Sequence, residues 1–404
     1  MRTRYGSSPW ITEFPASRRP GFPRFRNDRP ASVVIIGAGL TGAAIAQACA
    51  AAGLKPVVLE ADRIGLGTSG RSAGLLTTDP GLLFRDVAAA HGLRSARRIF
   101  ETWRRGALDG AALLRRLNIK CDLEASGSIL IAGHDDEKRL RRELDARAEA
   151  GLDLAGLTPK QLQSAMKLPA AAAARTREGF TLDPYRATVG LAAAAARRGA
   201  AIFEQSRVRK VRFTRKHADV ITDGGTIRTA AVVVATGSAT AEFRSLQRHL
   251  KRREMYAVMT EPLPPAMRKQ LGDRGTTLRD TRLPPYRLRW VDDRLLVAGG
   301  DQDETPARTR NAVLVQRTGQ LMYELLTMYP AISGLHPQYG WEASYGEAAD
   351  GLMYIGAHRN YPHHLFALGG GHDTVTGAFV AARIIVRALQ GASERADDVF
   401  GWTR

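Results

Sequence analysis

Gly37, Gly39 and Gly42 stand in the run Gly37-Ala38-Gly39-Leu40-Thr41-Gly42, and the acid Glu60, with Ala61 beside it, follows roughly 20 residues on. That spacing is chemistry for a dinucleotide. Gly37 permits a tight turn, Gly39 removes the Cβ that would collide with a pyrophosphate, and Gly42 lets a helix lie close to a strand. A helix opening at such a turn offers free N–H groups and a partial positive charge to phosphates. A carboxylate at Glu60 can accept hydrogen bonds from ribose hydroxyls. A second glycine loop, Gly369-Gly370-Gly371, leads into another stretch of helical periodicity and so makes a second helix mouth able to stabilise negative charge.

The elements that must position these residues are legible around them. Val33-Val34-Ile35-Ile36 reads as a buried parallel strand running straight into the first glycine loop. Residues 43–52 are Ala-rich, so their helix can lie close to a sheet, and Gly53 suits its C-terminal cap. Val57-Val58-Leu59 is a second strand ending at Glu60, which completes a βαβ start. Near the other end, Leu365-Phe366-Ala367-Leu368 reads as a strand, and Val375, Phe379, Ala382, Val386 and Leu389 follow helical spacing. The fold class expected is α/β, with a Rossmann-like nucleotide domain.

Further blocks lie between these ends. After Glu60 comes Gly65-Leu66-Gly67-Thr68-Ser69-Gly70-Arg71-Ser72-Ala73-Gly74, with Leu75 next. Asp183-Pro184 precedes an Ala-rich stretch, and Val232-Val233-Val234-Ala235-Thr236-Gly237 is a strand and turn. Thr260-Glu261-Pro262-Leu263, Tyr286-Arg287 and Asp293-Arg294-Leu295-Leu296-Val297-Ala298-Gly299-Gly300 follow, then Trp341, Asp350-Gly351-Leu352 and Gly356 before the closing glycine loop. In this order the set resembles the D-amino-acid-oxidase-like superfamily of FAD-dependent oxidoreductases, nearest its γ-glutamylputrescine oxidase and glycine/sarcosine oxidase branch, over residues 31–395. The resemblance implies FAD, held by Gly37 to Gly42, by Glu60 and Ala61, and by Thr68, Ser69, Gly70, Arg71, Ser72, Ala73, Gly74 and Leu75. It adds Val208, Ala235, Thr236, Gly237 and Trp341, and the closing run Gly369, Gly370, Gly371, His372, Asp373, Thr374, Val375 and Thr376.

The resemblance also implies the reaction: a C–N bond of an amine or amino acid is oxidised by hydride transfer to the flavin, and the imine formed hydrolyses. Arg287 is the candidate for a substrate carboxylate, because a guanidinium meets a carboxylate with two parallel hydrogen bonds. Tyr286 beside it and His372 in the flavin loop complete the catalytic candidates, and Tyr256 joins Tyr286 and Arg287 as a substrate-facing residue. Ser72 stands near the position where some relatives attach FAD through histidine, and both cysteines, Cys49 and Cys121, precede the late position that others use; non-covalent FAD is expected. Val297 stands where sarcosine-oxidase-like members carry an oxygen-promoting lysine, which leaves oxygen and other acceptors open. Met353 replaces a usual proline and Ala343 a usual glycine. Two alternatives stay beside this reading: an FAD-dependent tRNA-modifying enzyme of the same superfamily, and a flavoprotein subunit without turnover.

The organisation implied is an FAD domain of residues 31–124, 180–245 and 335–395, interleaved with an α+β substrate domain of residues 125–179 and 246–334 built on a mainly antiparallel sheet. Residues 1–30 form an arm whose Pro9, Pro15, Pro20, Pro23 and Pro30 block helix and central strand; Trp10, Ile11 and Phe14 are expected to pack on the main body. Residues 396–404 form a tail. Ser17-Arg18-Arg19-Pro20-Gly21-Phe22 is similar to a twin-arginine signal, but no apolar run follows before Val33, and no stretch is long enough for a membrane span; a cytoplasmic location is expected. The 404 residues carry 59 Lys+Arg against 40 Asp+Glu, a net +19, which suits an acidic partner or an anionic metabolite. Arg94, Arg97, Arg98 and Arg105 give one helix a basic face, read as solvated, with nucleic acid the lesser alternative. No Cys/His spacing offers a metal site, and the oligomeric state is open.

Overall fold

The structure, a computed structural model, describes residues 2–371 and 374–404. The β-branched run at 33–36 is the second half of the strand Arg29–Ile36, at the centre of an eight-stranded sheet. Val57–Leu59 pairs with it in parallel on one side and Gly225–Gly237 on the other. Ala201–Phe203 extends the parallel set beyond Val57–Leu59, and His364–Leu368 lies parallel to the second half of Gly225–Gly237. Apolar residues fill both faces of the central strand, so Val33 to Ile36 are all buried. One face is covered by the helices Leu40–Ala51, Pro184–Arg197 and Thr374–Leu389. Ala43, Ala44 and Ala46 are almost fully buried in the first of these, and their small size is what lets it lie between the other two. The long helix Leu93–Arg116 presses on Thr374–Leu389 where a Cβ on Gly106 or Gly110 would come within 2.5 Å of Val380 or Phe379.

The second domain is a nine-stranded, mainly antiparallel sheet. Leu250–Thr260, Arg294–Asp303, Arg287–Val291 and Thr276–Asp280 form its middle, and the period of two along each strand divides its faces. Met255, Ala257, Leu296, Ala298, Trp341 and Ala343 join the core shared with the nucleotide domain. Tyr256, Val258, Leu288, Trp290 and Val297 pack in a separate core with the helix Arg310–Met328.

Two sequence boundaries need correcting. The strand Pro337–Ala348 falls inside the segment 335–395 read as FAD domain, yet it pairs with Leu250–Thr260 from Leu250↔Ala348 to Thr260↔Pro337 and belongs to the nine-stranded sheet. The arm 1–30 is not merely a proline-rich lead. Arg4–Tyr5 pairs in parallel with Tyr339–Gly340, and Pro9–Thr12 forms one helical turn capped by Ser8. Trp10 and Phe25 are buried, and Ile11 and Phe14 pack against the main core. The proline rule holds locally: Pro9 sits in the first turn, where its missing N–H costs nothing. At the other end Phe400 is buried and Trp402 stacks on Tyr354 at 4.4 Å.

Candidate cofactor and substrate site

The glycine loop is shaped as its spacing requires. Gly37 has φ +97°, and a Cβ there would lie 2.7 Å from the Ala235 carbonyl oxygen. A Cβ on Gly42 would lie 1.9 Å from the Gly37 carbonyl oxygen, so only glycine lets the helix start this close to its own turn. The Glu60 carboxylate accepts the N–H of Ala38 at 2.7 Å and of Asp62 at 3.0 Å, which fixes it on the crevice wall. Ser69 Oγ accepts the N–H of Leu40 at 2.7 Å and would be 2.9 Å from a Cβ on Gly39. The N–H groups of Thr41 and Gly42 are first-turn donors that the helix itself does not satisfy.

Around this loop runs a crevice of about 1620 Å³, including its open mouth. Of the residues expected from sequence, Gly37, Gly39, Leu40, Thr41, Glu60, Ala61, Thr68, Ser69, Val208, Ala235, Thr236, Gly237, Gly370 and Gly371 line it. Ala38 and Gly42 shape the loop from behind it. Gly70 to Gly74 and Trp341 form a supporting layer instead: Trp341 Nε1 donates to the Arg71 carbonyl at 2.8 Å, and the Ser72 hydroxyl accepts the Gly74 N–H. Gly369 packs against Leu250, and Val375 is in the core. Thr376 Oγ1 donates to the Thr77 carbonyl at 2.7 Å, tying the closing helix to the strand Leu75–Thr77. His372 and Asp373 lie outside the described residues, as does the side chain of Thr374. Sequence reasoning missed Arg63, Arg207, Arg209, Tyr345 and Gly346, which also line the crevice. Arg207 and Arg209 flank the predicted Val208, and Tyr345 lies four residues along the strand from Trp341.

A narrow slot, more apolar than polar in its accessible lining, lies between the nine-stranded sheet and the small sheet that includes Leu75–Thr77 and Gly179–Thr181. Leu75, Thr77, Ser126, Ser128, Thr277 and Arg287 are among its walls. Arg287 is only 2% exposed and stands opposite Arg279 in the strand register, on the same face. Arg279 reaches Asp79 at 3.4 Å, and Asp79 is held in turn by Arg147 at 2.7 Å. Arg147 also binds Glu143 at 2.6 Å, whose carboxylate accepts the N–H groups of Phe84 and Arg85. A buried chain of alternating charge therefore braces the loop after Thr77.

The two tyrosines named as substrate-facing do not share this face. Tyr256 and Tyr286 pack in the core on the helix side of the sheet, Tyr256 through the alternation along its strand and Tyr286 from the turn just before the strand Arg287–Val291. Tyr256 Oη donates to Glu254 at 3.1 Å and lies 3.0 Å from both Thr305 Oγ1 and Gln302 Nε2. Burial pushes its phenol up to about 12, so it stays protonated near neutrality. Tyr286 is covered by the Arg282 guanidinium at 4.0 Å, and its hydroxyl faces Gln320. Tyr256→Phe is therefore expected to lower unfolding stability by about 1–3 kcal/mol through the unpaired partners it leaves. The same variant should keep kcat/KM within about twofold of the parent, a steady-state comparison that separates packing from catalysis.

Val297 faces the helix Arg310–Met328, and its neighbours on the opposite face are Leu296 and Ala298, so this part of the strand offers a lysine to neither side. Cys49 and Cys121 are in the core, their thiols pushed up to about 12 by burial. On the helix read as basic, Arg97 donates to the Glu149 carbonyl and Arg105 pairs with Asp109 at 3.6 Å, so that face is partly spent within the chain. Among the described residues, no helix is long and apolar enough to cross a membrane.

A glycine-loop crevice on a parallel sheet, set beside an antiparallel sheet that carries a buried arginine, defines an enzyme built around a dinucleotide. The family model described as FAD dependent oxidoreductase, DAO, matches residues 32–388, and the chain belongs to this family. It is 26% identical over 378 residues to gamma-glutamylputrescine oxidoreductase of Escherichia coli K12, an alignment covering 90% of this chain and 85% of that protein. Its fold is similar to that of glycine oxidase from Geobacillus kaustophilus, with TM-score 0.76, 20% identity, and 92% and 98% of the two chains covered. It is also similar to that of L-proline dehydrogenase from P. horikoshii, with TM-score 0.75, 17% identity, and 93% and 97% covered. The chain is an FAD-dependent oxidoreductase, and the crevice fits that cofactor. The cradle at Gly37 and Gly42 excludes any Cβ, the helix of Thr41 supplies donors for phosphates, and Glu60 supplies the acceptor for a ribose.

Proposed function

We propose that the protein oxidises the C–N bond of an amine or amino acid that carries a carboxylate. The observation that carries this reading is Arg287: a buried guanidinium on the cofactor-side face of the substrate sheet, lining a slot rich in hydroxyl groups. The relatives named above support it, since each name specifies an amine or an amino acid. Bound FAD supplies the hydride acceptor. The chain supplies orientation and shielding. Arg287 holds the carboxylate, and slot hydroxyls such as Ser126, Ser128 and Thr277 can accept or donate hydrogen bonds to the rest of the substrate. Leu75, Leu76 and Phe180 form the apolar part of the same walls and keep water from the reacting carbon. As the hydride leaves that carbon, the neutral nitrogen's lone pair forms the C=N bond. Water then adds to the imine, which releases a carbonyl compound and an amine.

The test is anaerobic mixing with N-methyl amino acids, D- and L-amino acids and polyamine conjugates, with glycerol 3-phosphate as the C–O counterpart. Bleaching of the flavin by an amino-acid substrate supports the proposal; bleaching by glycerol 3-phosphate alone, or by none, overturns it. Arg287→Lys should raise KM for the carboxylate substrate by about tenfold or more, since a point charge replaces a bidentate fork. Steady-state kinetics with KM unchanged would remove Arg287 from the substrate site.

A further inference from the structure

The segment from Thr68 to Thr77 joins the two halves of the site: Thr68 and Ser69 line the cofactor crevice, and Leu75 to Thr77 line the slot. Between them five consecutive carbonyls are occupied from behind. Ser8 Oγ donates to Gly70, Trp341 Nε1 to Arg71 at 2.8 Å, and Trp10 Nε1 to Ser72 at 3.0 Å. Arg289 Nη1 donates to Ala73 at 2.9 Å and Gly74 at 2.7 Å, and reaches the Leu182 carbonyl at 3.0 Å as well. The turn is wrapped tightly around that nitrogen: Gly74 has φ +70°, and a Cβ on it would lie 2.7 Å from Arg289 Nη1.

Arg289 is an unusual residue to keep here. It is 5% exposed, and among the described residues it forms no ion pair with a carboxylate. Its remaining contacts are the Trp290 carbonyl at 3.2 Å and the Trp10 ring, whose centroid is 5.4 Å from Cζ. Burial pushes the guanidinium down to about 10. A buried cation held directly by carbonyl dipoles and a ring face, with Asp183 and then Glu124 acting on it only at longer range, contributes less to stability than an apolar residue of its size would. Its geometry does supply something an apolar residue cannot, namely a fixed orientation of successive peptide groups between cofactor and substrate.

We infer that Arg289, backed by Trp10 of the N-terminal arm, is a positioning residue for FAD, and that the arm is a working part of the cofactor site. Arg289 and Trp10 hold the carbonyls of residues 72–74 on the side of the arm, so the segment that runs from the crevice residues Thr68 and Ser69 to the slot residues Leu75 to Thr77 keeps one conformation behind the cofactor. The inference rests on the FAD reading, which the parent protein checks separately by retaining FAD.

Three variants test it: Arg289→Met, Trp10→Phe, which keeps an aromatic face but loses the indole donor, and Arg289→Lys. FAD affinity is read by flavin fluorescence, the bound flavin by visible circular dichroism, and stability by melting with and without FAD. The expected result is a rise in FAD Kd of about tenfold or more for Arg289→Met and a smaller rise for Trp10→Phe. Both should change the visible dichroic band, with partial recovery in Arg289→Lys. A merely structural role would lower the melting temperature equally with and without FAD, at FAD affinity and dichroism like the parent's, and that result overturns the inference. If Arg289→Met does not fold, Trp10→Phe decides by the same two readouts.

Discussion

Arg147→Ala is expected to lower the unfolding free energy by about 3–5 kcal/mol, the cost of breaking a buried ion pair from one side. The guanidinium lies between Asp79 and Glu143, and its side chain is 3% exposed against 0% for Glu143. It also lies over the Phe100 ring at 4.6 Å, so alanine removes packing together with charge. Two carboxylates would be left buried, one of them holding the N-terminus of the helix Phe84–His91. Denaturant unfolding at neutral pH measures the loss. Its pH dependence is a second check. Burial alone would raise the Asp79 carboxyl, but Arg147 and then Arg279 outweigh it and hold the group below its ordinary value of 3.8. A depressed carboxylate contributes stability above its unfolded value and loses it as pH falls through the folded one. The deficit of Arg147→Ala should therefore be full at neutral pH and shrink below pH 3.8. A deficit that stays constant into acid would show that Phe100 packing, not charge, dominates.

Glu60→Ala is expected to weaken FAD binding by about 1.5–3 kcal/mol, or roughly 10- to 150-fold in Kd. The carboxylate fixes the N–H groups of Ala38 and Asp62 while standing in the crevice wall, so its loss both loosens the glycine loop and removes the ribose acceptor. Glu60→Gln keeps one acceptor oxygen and should fall between parent and alanine. Fluorescence titration of the apoprotein with FAD measures all three; equal Kd values across them would take Glu60 out of the cofactor site.

The cofactor half of the site was legible because its physics is local. Gly37, Gly42 and Glu60 belong to one strand–turn–helix–strand unit, and the contacts of Gly42 and Glu60 act within or next to it, although the tightest limit on Gly37 comes from the Ala235 carbonyl of a remote strand. The substrate half was legible only in part. Arg287 was singled out from a residue pair that resembles a family block; Tyr286, one residue before the strand Arg287–Val291, packs in the helix-side core and meets Arg287 only at a second cavity beside Asp280 and Arg282, not at the slot. Arg289, on the same face as Arg287, was hidden in an arginine-rich chain where nothing local distinguishes a buried guanidinium from a solvated one. The strand Pro337–Ala348 was assigned to the wrong domain for a related reason. Its partner, Leu250–Thr260, is remote in sequence, and register between remote strands leaves no local mark. Glu143 and Arg147 lie at helical spacing, yet their burial depends on Asp79 and Phe100 arriving from another segment.

The pairing of Arg4–Tyr5 with Tyr339–Gly340 imposes a timetable on biosynthesis. At ordinary translation speed the later strand leaves the ribosome on the order of tens of seconds after the earlier one. Until then the apolar side chains of Trp10, Ile11 and Phe14 have no finished surface to cover, and the nascent chain must keep them soluble. The crevice is completed later still, because its wall includes Gly370 and Gly371 of the closing loop.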